Sequence, residues 1–298
     1  MGPPAYDGSL IMPEMTAAES DYGSAISLPT SGSCVPARIR PSVLSLIPAL
    51  FGLLVGTLGA TPADAPKPAS QDFSRPEDLL SSISRVLKPD WVAFFRQAVP
   101  KAPESRAQIA FAIGSIFAEG WLAAHAEDTQ HSRNIDKDLL LLAKPLGTHP
   151  ELIEHSKSLA DCAERRNWEL LKQELQSAEN DLTRALSKNG DPQLASLVQL
   201  GKWVRTIEIA AGILHHHYSD LSAGVLNQSL WEKSFSHALV AAIEPIRADE
   251  ALSPTQPQLS DLHKLLEAQS KSLPTDSQIN SLSEAAHAVL LDILSNHK

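Results

Sequence analysis

The chain has 298 residues, 43% of them hydrophobic, 20% charged and 5% aromatic, with a formal charge of −10. That apolar content excludes wholesale disorder, and 14 glycines are too few for a collagen-like repeat. Two cysteines cannot build a disulfide framework, and a net acidic chain without a long basic run argues against a general nucleic-acid binder.

Residues 1–34 carry Asp7, Glu14, Glu19 and Asp21 but no lysine or arginine, and read as a disordered extension or as a start placed too far upstream. Arg38 and Arg40 then precede an apolar run from Val43 to Ala60, followed by Thr61-Pro62-Ala63-Asp64-Ala65. A short basic end, an apolar core and a small-residue exit predict a secretory signal peptide over 35–65, with Val35 as a GTG start and cleavage after Ala60. The alternative is an uncleaved inner-membrane anchor over 43–60, at the short end of what spans a bilayer. Either way the chain is expected to be bacterial and exported, to the periplasm or cell envelope, meeting the membrane only through this segment. Removing 1–65 takes away two arginines and five carboxylates, which leaves 23 basic and 30 acidic side chains and a formal charge of −7. Cys34 goes too. Cys162 then stands alone in roughly 230 residues, long enough to build a core without disulfides.

Residues 66–75, with Pro66, Pro68, Ser70 and Asp72, read as a linker. Beyond them helix punctuation recurs. Ser74 with Glu77, Ser105 with Gln108, Thr148 with Glu151, Ser229 with Glu232 and Thr275 with Gln278 have capping-box spacing. Gly147 and Gly190 stand where helices stop, and Asp191-Pro192 where one restarts. These signals predict helices over 75–87, 90–98, 105–127, 129–146, 149–164, 168–188, 192–216, 220–226 and 229–246. A polar break at 248–258 precedes a C-terminal helical hairpin over 257–298. No stretch alternates like a strand, and no Gly-rich phosphate loop follows one. Short connections set successive helices antiparallel, so the fold class is all-α: a multi-helix antiparallel bundle over 76–247 with a C-terminal helical hairpin.

Two helices read as central. The stretch 107–126 is apolar on both sides and holds one carboxylate, Glu119; Gln108, Glu119 and His125 argue against a membrane span. The stretch 194–214 has Gly201 and Gly212 on one face, each costing the helix about 1 kcal/mol relative to alanine. Close approach of a neighbour is the expected compensation, and Gly114 and Gly120 invite the same reading. The 168–188 helix is expected to turn Trp168, Leu171, Leu175, Leu182 and Leu186 inward and its charges outward. Five tryptophans on five predicted helices suit core anchors better than a stacking platform.

Glu119 is the first candidate for chemistry, because a carboxylate on so apolar a helix is either paired or shifted in pKa. One reading makes it a general base or metal ligand; the other pairs it with Lys144, Arg205 or Arg106. His125, Asp128 and His131 follow at i,i+3 spacing and complete, with Glu119, a candidate metal or catalytic set. The competing reading makes Asp128 a helix cap. His215, His216 and His217 point about 100° apart on a helix and suit its C-terminal end electrostatically. Glu284 and His287 form a lone Glu-x-x-His, where a di-iron bundle needs two. Motifs of zinc peptidases, serine hydrolases, thiol redox proteins and c-type haem are absent. Cys162, between Asp161 and Glu164, reads as an inert thiol. These observations point to a non-enzymatic binding or scaffolding module without a cofactor, meeting a protein partner or self-associating through its hairpin. The alternative is a metal-binding protein or enzyme centred on Glu119, His125, Asp128 and His131.

Overall fold

The computed structural model describes residues 74–96, 103 and 105–295. The predicted extension, signal peptide or anchor, and linker up to residue 73 lie outside the described residues. Within them the chain forms α1 (Pro76–Val86), a 3₁₀ turn at Trp91–Phe94, α2 (Arg106–Ala126), α3 (Thr129–Leu146), α4 (His149–Glu164) and α5 (Trp168–Lys188). There follow α6 (Pro192–His216), the single turn α7 (Asp220–Ala223), α8 (Ser229–Ala248), a 3₁₀ turn at Ser253–Thr255, α9 (Gln256–Lys271) and α10 (Asp276–Ser295). The fold class is all-α, with no strand among the described residues.

The stop signals act as their chemistry dictates. Gly147 and Gly190 adopt left-handed φ of +74° and +85°, which a side chain would resist. Ser105 Oγ accepts from Gln108 N at 3.0 Å, and the Gln108 side chain accepts from Ser105 N at 3.4 Å. Thr275 and Gln278 make the same exchange. Three expected caps differ. Arg75, not Ser74, precedes α1, and Asp78 rather than Glu77 accepts from its backbone at 3.0 Å. Thr148 precedes α4 without a side-chain cap bond, and Ser229 lies inside α8. Of the helix expected over 90–98, the described residues 90–96 form only the four-residue turn at Trp91–Phe94, whose aromatic side chains are engaged by other helices.

Contacts mirrored about each connection, including those of His155 in α4 with Glu174 and Asp181 in α5, show α2 to α6 reversing direction in turn. A Cβ at Gly120 would lie 3.4 Å from the Ile135 side chain across α2 and α3. Thr129 donates to the Ala163 carbonyl, and Ser156 to Asp136, across α3 and α4. Gln199 and Lys202 reach Glu179 across α5 and α6. Four reversals return α6 parallel to α2. Arg106 and Asp191, 2.7 Å apart, tie their N-terminal ends. At their crossing a Cβ on Gly114 would stand 1.9 Å from the Val198 carbonyl oxygen, and one on Gly201 2.0 Å from that of Phe111. The close approach expected of the glycines is therefore made by this pair. Gly212 instead receives the Phe94 ring, and Gly120 the Leu175 methyls.

Helix α6 is the axis of the bundle and packs against α1, α2, α5, α8 and α10. Among the described residues α2 alone is long and apolar enough to cross a membrane, and 89% of its most apolar window is buried within the fold. Its composition is that of a helix enclosed by neighbours. The C-terminal hairpin belongs to the same core. Leu282, Ala286, Val289, Leu290 and Ile293 of α10 are at most 1% exposed, and Gln108 of α2 donates to the Ile293 carbonyl at 3.2 Å. Trp121, Trp203 and Trp231 are buried, while Trp91 and Trp168 lean on the core from its edge.

Candidate functional site

Helix α2 turns Glu119, 5% exposed, towards α6. Helix α6 presents Lys202, Arg205 and Glu208 one turn apart, all buried. Arg205 engages three acceptors. Its Nε donates to Glu119 Oε1 at 2.6 Å, its Nη1 to Glu208 Oε2, and its Nη2 to the Phe94 carbonyl at 2.6 Å. The second oxygen of Glu119 lies 3.4 Å from His131 Nε2. The second oxygen of Glu208 meets His287 Nδ1 at 2.5 Å and Arg96 Nη2 at 3.5 Å. Burial alone would push the Glu119 carboxyl up; Arg205 and His131 outweigh it and hold the group below the ordinary carboxylate value. Burial works against the Arg205 charge as well, and Glu119 and Glu208 overcome it.

One turn earlier on α6, Lys202 Nζ sits 2.5 Å from Glu179 and 2.6 Å from Glu77. Gln199 donates to the other Glu179 oxygen at 2.7 Å, and Arg75 approaches Glu77 at 3.6 Å. Lys202 also lies 5.9 Å above the Trp121 ring. The expectation that α5 keeps its charges outside fails at Glu179, which is 1% exposed and turned in to this lysine.

Of the four candidate residues, only Glu119 and His131 come together. Asp128 caps α3, its Oδ1 accepting from His131 N at 2.6 Å, as the capping alternative requires. His125 stacks on Trp91 with ring centres 4.8 Å apart and 23° between planes. Its Nε2 is buried without a hydrogen-bond partner. Burial, reinforced by Lys172, pushes this imidazole down to about 4. The four do not form a ligand set, because Arg205 claims Glu119 and the helix terminus claims Asp128. Among the described residues no three histidine, cysteine, aspartate or glutamate side chains converge as metal ligands.

The other sequence candidates fall into place individually. Arg205 is the partner of Glu119; Lys144 is exposed, and Arg106 is held by Asp191. His287 pairs with Glu208, whereas Glu284 takes Asn280, so the Glu-x-x-His residues act apart. His216 meets the Gly212 carbonyl and His215 meets Asp276. Cys162 is fully buried. The sequence reading missed His155, which α4 places between Glu174 at 2.6 Å and Asp181 at 3.1 Å of α5. It also missed Lys202, Glu208, Glu179 and Glu77. The available signal was the i,i+3 series of charges inside an otherwise apolar α6.

Chemically the two α6 clusters close on themselves: each buried carboxylate meets a cation, and the pairs tie α1, α2, α5 and α6 together. An open groove of about 420 Å³ lies elsewhere, beside Arg75, Gln199, Trp203, Ser234, His237 and Ala238. Comparison of the chain with family models, curated proteins and solved structures found no match.

Proposed function

We propose that the chain is an exported bacterial helical-bundle protein with a non-enzymatic binding or scaffolding role in the cell envelope. The observation that carries this reading is the closure of the Glu119 site. Its carboxylate is ionised and held by Arg205 and His131, so it has the attributes of a structural tie rather than of a general base poised near neutral pH. The export part rests on the basic, apolar and small-residue pattern over 35–65.

Complementation tests the role. A strain lacking the chain is given the Glu119→Gln/Arg205→Met double variant, which neutralises Glu119 together with its cation and leaves Glu208 to Arg96 and His287. Rescue in proportion to the folded protein present is expected; loss of rescue at full folded level would overturn the reading and favour an enzyme. Fractionation with mass spectrometry of the N-terminus tests export. A mature terminus after Ala60 in the envelope fraction is expected, and a full-length cytoplasmic chain would refute it.

A further inference from the structure

The segment 91–96 lies across the bundle end where α2 and α6 finish, and three of its aromatic rings are seated on histidines. Trp91 stacks on His125 of α2. Phe95 stacks on His131 of α3 with centres 3.7 Å apart and planes 4° from parallel. Phe94 meets His216 of α6 edge-on at 5.5 Å and fits over Gly212. The backbone is pinned by Arg205 through the Phe94 carbonyl, and Arg96 reaches Glu208. We propose that residues 91–96 form a strap whose Trp91 end is released when His125 takes up a proton.

The argument rests on how differently the three imidazoles are surrounded. A proton on His131 finds the Glu119 carboxylate at 3.4 Å, with Asp138 also facing it. His216 donates to or accepts from groups at the rim, beside His215 and its partner Asp276. Glu208, at the Arg96 end, is held by Arg205, Arg96 and His287 together. His125 has none of this. From the strap it faces the Trp91 ring; from α5 it faces Lys172 and Glu169, which are bonded to each other at 2.8 Å. Its Nε2 is buried with no acceptor, so a proton there creates an unpaired buried cation next to a lysine. Lifting Trp91 uncovers the face of the imidazole on which it stacks.

The sign follows. Seated under Trp91 the imidazole titrates at about 4, and once uncovered it returns towards the ordinary 6.5. Between those values the uncovered form binds the proton and the seated form does not, so each unit of falling pH favours release about tenfold. At the other end Phe95 keeps His131, itself beside Glu119, and Arg96 keeps Glu208, so that end stays down.

The test is ¹⁹F NMR of the full chain labelled with 5-fluorotryptophan, with the Trp91 resonance assigned by Trp91→Phe. On acidification towards pH 4, the Trp91 resonance is expected to move to a solvent-exposed position while the other four stay. In His125→Phe, which keeps a ring but cannot be protonated, Trp91 should remain seated. An immobile Trp91, movement that persists in His125→Phe, or all five resonances moving together would overturn the proposal. Should His125→Phe not fold, the wild-type imidazole resonance decides. A His125 midpoint coincident with the Trp91 movement supports release, and a midpoint apart from it refutes it.

Discussion

Lys202 and Arg205 are neighbours on one helix, and each is a buried cation between two carboxylates. Around Lys202 all three side chains are at most 2% exposed and no histidine takes part. One positive charge there faces two negative ones, and Arg75 at the half-open edge offsets the excess. Around Arg205 the charges balance with Arg96, but a backbone carbonyl and two histidines, His131 and His287, complete the set. Both sites obey the rule that a buried charge must be paired. The partner type sets what else follows: the sealed site only joins helices, whereas the rimmed site joins helices and also orders the 91–96 strap.

The contrast is broken most severely at Lys202. Lys202→Met leaves the buried Glu179 with only Gln199 and the buried Glu77 with only the half-exposed Arg75, and urea denaturation should show a loss of about 3–5 kcal/mol. Converting both glutamates to glutamine in the same chain should restore more than half of it, because removing all partners avoids the stranded charge. Next comes the crossing that holds the two sites in register. Gly201→Ala drives a methyl into the Phe111 carbonyl and should cost about 3 kcal/mol, read as a lowered Tm. Glu119→Gln removes the charge but keeps the shape at the rimmed site, with an expected cost of about 2 kcal/mol in the same denaturation experiment.

The smallest effect sharpens the contrast at a third place. His155 has its pKa raised, first by the hydrogen bond to Glu174 and then, against burial, by Asp181. A raised histidine contributes stability that is complete below its unfolded value and is lost as pH rises through its folded value. The urea midpoint of the wild type should therefore lead that of His155→Gln by most near pH 6. The lead should shrink by about 1 kcal/mol or less towards about pH 9. An advantage that grows with pH would contradict the pairing.

The helices were legible because punctuation and periodicity are local: Ser105 with Gln108, Gly147 and Gly190 mark ends with chemistry confined to a few residues. Glu119 was legible as an oddity, a charge where the pattern demands apolar side chains, and Arg205 was among its expected partners. Glu77 and Glu179 were not. Each sits on a helix with other carboxylates, and only the docking angle of α1 and α5 on α6 selects the one that turns inward. The segment 90–98 misled for the opposite reason. Trp91, Phe94 and Phe95 have near-helical spacing, but their rings are seated on histidines of three different helices, a tertiary arrangement that local spacing does not reveal.

The Gly114–Gly201 crossing has a consequence for the order of assembly. Helix α2 ends at Ala126 and its principal partner α6 begins only at Pro192. At roughly 5–20 residues per second, ribosomes need on the order of several seconds to supply that partner. Throughout that interval a largely apolar helix has only α3, α4 and part of α5 to shelter it. The nascent chain therefore passes through a stage in which the surface that will meet α6 is uncovered, a delay set by the pairing of helices so far apart along the chain.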